Sequence, residues 1–194
     1  MKSSMALIDK TWNPVSNHEV VLKWLRAERH TPFAVTHFPS VVLLGAIQSI
    51  ASLLDIPNLN DEAENLSRQR LLCTIRGALI QHIPFTATWY NVEFLTDGEL
   101  SELHAINHHE WVSDGDRNEL CKVATRKHLS LSQYWSTWEP PILLGHSKNG
   151  PFSILDGNHR LTAYAGSGQT GLKIPVIVGI SDESCSWSIF DVEG

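Results

Sequence analysis

Apolar residues recur at helical spacing from Ser16 to Arg29, placing Val20, Val21, Trp24 and Leu25 on one side of a predicted helix. Ser16-x-x-Glu19 has the spacing of a capping box, in which each side chain satisfies the other's backbone N–H, and Thr31-Pro32 ends the segment. Val41 to Leu54 is nearly all apolar and predicts a central buried helix. It is shorter than the roughly 20 residues of a membrane span and carries Gln48, Ser49 and Ser52. Asn60 to His82 has Leu66, Leu72, Ile75 and Leu79 at helical spacing with Arg68, Arg70 and Arg76 among them, bracketed by Pro57 and Pro84. Residues 1–85 therefore read as a helical N-terminal extension.

The pattern then changes. Thr88-Trp89-Tyr90-Asn91-Val92-Glu93-Phe94-Leu95 is rich in strand-forming side chains, and Thr96-x-x-Glu99 is a second capping box, opening a helix expected to run to about His108. Another helix is expected from Ser113-Asp114-Gly115-Asp116 through Glu119, Leu120, Val123 and Arg126. Ile142-Leu143-Leu144 and Phe152-Ser153-Ile154-Leu155 flank Ser147-Lys148-Asn149-Gly150-Pro151, and the Asn-Gly pair predicts a β-hairpin. After Asp156-Gly157-Asn158-His159-Arg160, Leu161, Tyr164 and Ala165 repeat at helical spacing until Gly166-Ser167-Gly168, and Ile174-Pro175-Val176-Ile177-Val178 is a further strand. Residues 86–194 thus predict an α/β (α+β) core, a small mixed sheet with flanking helices, forming one compact unit with the extension.

Composition narrows the class. A chain of 194 residues with 42% apolar and 19% charged residues buries a real core and is neither a disordered polyelectrolyte nor a low-complexity chain. The net charge of −6 means that a nucleic acid must be met by a local basic pocket rather than by the field of the whole molecule. Cys73, Cys121 and Cys185 lie far apart with no CxxC pair, which argues against a disulfide scaffold or a zinc knuckle and favours a reducing cytoplasm. Residues Met1 to Lys10 lack the apolar run of a signal peptide, so no secretion is expected.

Chemistry concentrates at Asp156-Gly157-Asn158-His159-Arg160, where a strand turns directly into a helix. The N–H groups of a first helical turn form an anion site, reinforced by the positive end of the helix dipole. A phosphate there would meet Arg160, His159 and Asn158, with Gly157 clearing the approach. Asp156 is a candidate ligand for Mg²⁺ or another divalent cation, or an orienting group for His159. His159 is a candidate general base, because an imidazole of ordinary pKa accepts a proton at neutral pH. Such turns serve architecture as readily as chemistry, since Asp-Gly and Asn are common turn formers and an arginine at a helix start can simply form an ion pair. The run of five functional residue types favours chemistry.

Other motifs are weaker. Gly166-Ser167-Gly168-Gln169-Thr170-Gly171 matches GxGxxG but follows a helix and precedes a strand, the reverse of a dinucleotide site, and reads as a loop. His104 and His108 are four apart on the expected helix without a third ligand, His109-Glu110 lacks the second histidine of a zincin, and no Walker A sequence occurs. Trp135 and Trp138 are candidates for base stacking, although core packing is the commoner role. Arg68, Arg70 and Arg76 are candidate contacts for a DNA backbone or an acidic partner, but arginines on such a helix are usually solvated. Glu139 is a candidate second carboxylate beside Asp156.

Taken in order, Pro141-Ile142-Leu143-Leu144, Ser153-Ile154-Leu155-Asp156-Gly157-Asn158-His159-Arg160-Leu161-Thr162-Ala163-Tyr164 and Ile174-Pro175-Val176-Ile177-Val178 resemble the core of the ParB/sulfiredoxin fold over about the last 55 residues. In that superfamily a strand, a glycine-containing turn ending in Arg, and a helix bind nucleotide phosphates. Sulfiredoxins carry a cysteine where this chain has Asn158, which argues against sulfinic-acid reduction. CTP-binding partition proteins have Gly-Glu-Arg-Arg where this chain has Gly157-Asn158-His159-Arg160, which argues against their clamp cycle. With its helical extension the chain is most similar to plasmid fertility-inhibition proteins of the Osa type. That resemblance implies binding and hydrolysis of ATP with a divalent cation such as Mg²⁺. It also implies DNase activity on single-stranded or plasmid transfer DNA, and inhibition of conjugation or type IV secretion. Asp156, His159 and Arg160 would be catalytic, and Gly157, Asn158, His159 and Arg160 would bind phosphate. Two alternatives stand beside this one: a non-catalytic module that blocks a secretion coupling protein, and a nucleotide-gated DNA clamp. The clamp would need a DNA-reading domain, for which no helix-turn-helix segment follows Gly179.

Overall fold

The computed structural model describes residues 10–29, 50–81, 83–84, 86–105, 139–171 and 173–183. The expected helix near 113–126, residues 41–49 of the apolar stretch, His108, His109, Glu110, Trp135, Trp138, Cys121 and Cys185 lie outside them. Contacts divide the chain into two compact units, one comprising Met1–Pro14, His82–Ser136 and Pro140–Gly194, the other Val15–Gln81 and Thr137–Glu139.

The first unit is a small α+β fold built on a five-stranded mixed sheet. In chain order it contains β1 (Trp12–Val15), β2 (Thr88–Leu95), β3 (Ile142–Gly145), β4 (Phe152–Asp156) and β5 (Ile174–Ile180), in the spatial order β1-β2-β5-β3-β4. β5 pairs antiparallel with β2 and parallel with β3, while β3 and β4 form the antiparallel hairpin that Asn149-Gly150 predicts, with Gly150 at φ 71°. Between Val92 and Leu95 the β2–β5 register slips opposite Pro175. Proline has no N–H for a ladder bond, so a bulge there leaves no donor missing. β1 was not announced by its pattern, because Pro14 lies inside it; its place at the end of the sheet order is where proline is tolerated.

Two helices flank the sheet, α4 (Asp97–Ser101) and α5 (Asn158–Gly166), numbered after the helices of the second unit. Leu100, Leu103, Leu161 and Tyr164 join Val92, Leu143, Ile154, Val176 and Val178 in one buried cluster. Ile142, Leu144, Leu155 and Ile177 are buried as well, so both faces of the sheet are covered. The Thr96/Glu99 capping box forms as expected, but α4 stops at Ser101 rather than near His108. The chain leaves the helix to reach the edge of β4: His104 N–H donates to Phe152 O at 3.0 Å, and Ile154 N–H donates to His104 O at 2.8 Å. Backbone pairing of an otherwise open sheet edge outweighs the helical propensity of the segment.

Two glycines admit aromatic rings against the sheet. A Cβ on Gly179 would stand 2.6 Å from the Trp89 indole, and one on Gly145 would stand 2.6 Å from the Phe152 ring.

The second unit holds α1 (Asn17–Glu28), α2 (Ile50–Asp55) and α3 (Glu62–Ile80). Ser16 caps α1 by accepting from Glu19 N–H at 3.2 Å, and the Glu19 carboxylate pairs with Lys23. The last carbonyls of α2 are taken by arginines of its neighbours: Arg26 of α1 donates to Leu54 O at 2.7 Å and Arg68 of α3 to Leu53 O at 3.0 Å. A helix C-terminus has unpaired carbonyls and a partial negative charge, which is why cations settle there. Arg68, expected on a solvated face, is instead fully buried and also donates to Glu64, Asn58 O and Asn65. Leu66, expected to face inward, is exposed, because Asn65, Arg68, Leu72 and Ile75 take the inner face. Arg76 clasps the buried Glu28 of α1 through two bonds of 2.6 and 2.7 Å, and Arg70 is exposed. Glu139 faces Arg26 at 3.7 Å. Among the described residues no helix is long and apolar enough to cross a membrane.

Arg68→Ala should cost about 3 kcal/mol in urea unfolding, because two backbone carbonyls, the Asn65 amide oxygen and the Glu64 carboxylate lose their cation together. Gly179→Ala should cost about 1–3 kcal/mol by overpacking against Trp89. The double variant with Trp89→Leu should depart from additivity in the relieving direction, measured by the same unfolding curves.

Candidate functional site

β3 and β4 run antiparallel with Ile142 opposite Asp156, so Pro141 lies beside the point where β4 ends. The chain reverses there in one residue. Gly157 adopts φ 90° and ψ 17°, a left-handed conformation that L side chains rarely take, and α5 begins at the next residue. The space is closed as well, since a Cβ on Gly157 would come within 2.9 Å of Pro141 Cβ and 3.2 Å of an Arg160 guanidinium nitrogen. Glycine is required here twice over, by backbone conformation and by crowding.

Gly157, the N-cap residue of α5, makes no side-chain capping bond. Ser, Thr, Asp or Asn at that position would offer an oxygen to the first-turn amides, and glycine offers none. The N-cap residue therefore contributes no side-chain acceptor of its own to the positive end of the helix, and Leu161 N–H donates to Gly157 O at 2.9 Å. His159 is exposed at this corner and Asn158 is buried. The Asn158 Nδ2 donates to Ile154 O at 3.3 Å, joining the helix start to the strand before it.

Arg160 and Asp156 form an ion pair at 3.0 Å, with side chains 13% and 15% exposed. The carboxylate read from sequence as a metal ligand or a partner of His159 thus holds the guanidinium across the turn. A guanidinium carries five N–H donors in a planar fork, so it can hold Asp156 on one side and present another edge to a phosphoryl oxygen. Among the described residues no three His, Cys, Asp or Glu side chains converge as a metal site. A magnesium ion here would have to take most of its ligands from nucleotide phosphates and water, which is its usual habit.

One turn further along α5, Tyr164 is buried in the core cluster. Burial pushes its hydroxyl above the ordinary tyrosine value, and the Arg160 cation pulls the other way. Asp156, Arg160 and Tyr164 thus follow one another at intervals of four residues. Pro141 and Tyr164 were not singled out from sequence as parts of this corner. The four-residue spacing of Asp156 and Arg160 across a strand-to-helix turn was the available signal for their pairing. The apparent GxGxxG motif runs from the last residue of α5 into an exposed loop, with Gly168 and Gly171 at positive φ.

Comparison with protein-family models, with curated proteins and with solved structures finds no match to this chain. The structure defines the class: a small α+β protein with a five-stranded mixed sheet, flanking helices and a strand-to-helix turn that passes through a left-handed glycine and carries an arginine.

Because Tyr164 is protonated more tightly in the folded state, its contribution to stability is intact below about pH 10 and is lost as pH rises through its raised folded value. Thermal unfolding should therefore fall off on the alkaline side, and Tyr164→Phe should flatten that fall. An alkaline limb unchanged in the variant would assign it to other groups.

Proposed function

We propose that this chain is a nucleotide-binding protein of the ParB/sulfiredoxin kind, similar to the plasmid fertility-inhibition proteins. In this reading it binds ATP at the Gly157 turn, hydrolyses it, and cleaves DNA on its way to a conjugation or type IV secretion machine in the cytoplasm. The observation that carries the reading is the start of α5, where a left-handed glycine stands at the N-cap and Arg160, paired with Asp156, lies in the first helical turn.

The chemistry follows from the turn. Arg160 and the first-turn amides stabilise charge as it builds on the phosphoryl oxygens. The exposed His159 accepts the proton of the water that attacks the γ-phosphorus as the bond to the bridging oxygen breaks, releasing inorganic phosphate and ADP. Asp156 fixes the plane of the Arg160 guanidinium through their ion pair, and Asn158 holds the turn in shape through Ile154. A magnesium ion carried on the triphosphate would find Asp156 as its protein carboxylate and would neutralise phosphate charge.

The ion pair also favours a second reading. With Asp156 engaged by Arg160, the turn suits holding a phosphate better than activating a metal, as in a non-catalytic module that blocks a coupling protein and uses nucleotide only to set its shape.

The two readings separate with two variants. Arg160→Ala should lower ATP turnover about 100-fold in a phosphate-release assay, the scale set by removing one charge-stabilising donor. Asp156→Asn removes a negative charge next to the phosphate. It should abolish magnesium-dependent turnover if the chain is an enzyme, and should raise the thermal shift produced by ATP without any turnover if it is a binding module. Hydrolysis and DNA nicking unchanged in Arg160→Ala would reject the site.

A further inference from the structure

Trp12 on β1 and Tyr90 on β2 meet nearly at right angles, with ring centroids 5.3 Å apart and an interplanar angle of 82°. Lys148, in the connection between β3 and β4, brings its ammonium to 4.8 Å from the Trp12 centroid and 5.0 Å from the Tyr90 centroid. The three residues are far apart in sequence, so this corner is a product of sheet topology rather than of local turn structure. It also lies at the opposite end of β3 from the Gly157 turn: Lys148 follows Gly145, whereas Pro141 precedes Ile142 and stands where a Cβ on Gly157 would meet it.

The walls and the occupant differ in how firmly they are held. Both rings are half-buried, and Trp12 packs against the core cluster, while Lys148 is exposed on a flexible four-carbon stem. A cation within about 6 Å of an aromatic centroid is attracted by the ring quadrupole, and two rings set at right angles confine it from two sides. The chain's net charge of −6 favours the approach of cations wherever no local basic pocket reverses it. A site that already accommodates a primary ammonium will favour one that sheds less water on entry, and methylation of the nitrogen has that effect.

We infer that the Trp12–Tyr90 corner is a binding site for a quaternary alkylammonium group, either a trimethylated lysine side chain or a small choline-like cation, and that Lys148 fills it when no such ligand is present. Lys148 is then an internal competitor. Removing it leaves both walls in place and raises affinity for an external cation, whereas removing a wall abolishes binding.

The test uses the full chain labelled with ¹⁵N and follows the indole N–H resonance of Trp12, assigned by its disappearance in Trp12→Phe. Tetramethylammonium chloride and a short peptide containing trimethyllysine are titrated separately, with sodium chloride at equal ionic strength as the control. In Lys148→Ala the Trp12 signal should shift and saturate at concentrations at least tenfold lower than in the unaltered chain, and Tyr90→Leu should abolish the shift. Peptide binding at least tenfold tighter than tetramethylammonium identifies a protein tail as the source, and equal binding identifies a small cation; both support the site. A Trp12 signal unmoved by either probe in Lys148→Ala would overturn the proposal and leave the contact as a pin for the hairpin. An equal response with and without Lys148 would overturn its role as occupant. A shift produced by oligothymidine instead of the cations would reassign the rings to base stacking. Because Lys148 is exposed, its alanine variant folds, and none of these outcomes depends on ATP binding at Gly157.

Discussion

β5 is the strand on which the sheet depends. It is hydrogen-bonded to β2 along one edge and to β3 along the other, and its side chains from Val176 to Gly179 are buried. A strand covered in this way must be apolar on both faces, which is what Val176-Ile177-Val178 supplies. Its parallel pairing with β3 needs a crossover connection, and α5 lies within that connection. The turn at Gly157 is the first step of the crossover, and its crowding against Pro141 follows from the β3–β4 hairpin bringing Pro141 beside it. The proposed chemistry therefore rests on a corner whose shape is set by strand pairing.

Much of this architecture was readable from the chain because the signals are local. The β2 segment, the Asn149-Gly150 hairpin, the Thr96 capping box, the Ser16 cap and the Ile-Pro-Val strand all depend on residues within a few positions of one another. What escaped is what distance decides. β1 looks unlike a strand because of Pro14 and takes part in the sheet only by pairing with β2. His104 looks helical until the β4 edge is in place to receive it. Arg68 looks solvated until the carbonyls of Leu53 and Asn58 are brought around it. The Glu64 and Asn65 partners of Arg68 lie within one turn and are visible in the sequence, but the two backbone oxygens that complete its burial leave no sequence pattern.

The candidate site divides in the same way. Its residues were visible as a contiguous run, and so was the strand-to-helix setting. The division of labour within the run was not, because it depends on which way each side chain leaves the turn. Asn158 reaches back to Ile154, Arg160 folds over Gly157 to Asp156, and His159 is left exposed. The aromatic corner of Trp12, Tyr90 and Lys148 could not have been read from the sequence, since nothing in spacing links positions so far apart.

The pairs Gly179 with Trp89 and Gly145 with Phe152 have a consequence for alignment. Each glycine sits directly across from its aromatic partner in the ladder, where only a hydrogen atom leaves room for the ring. Sliding β2 by one position along β5 would drive the indole onto Ile180 or Val178, and sliding β4 along β3 would set the Phe152 ring against Leu144. The two contacts act as teeth of a key cut from opposite sides of the sheet's central strands, so hairpin and crossover strand can mesh in one offset only.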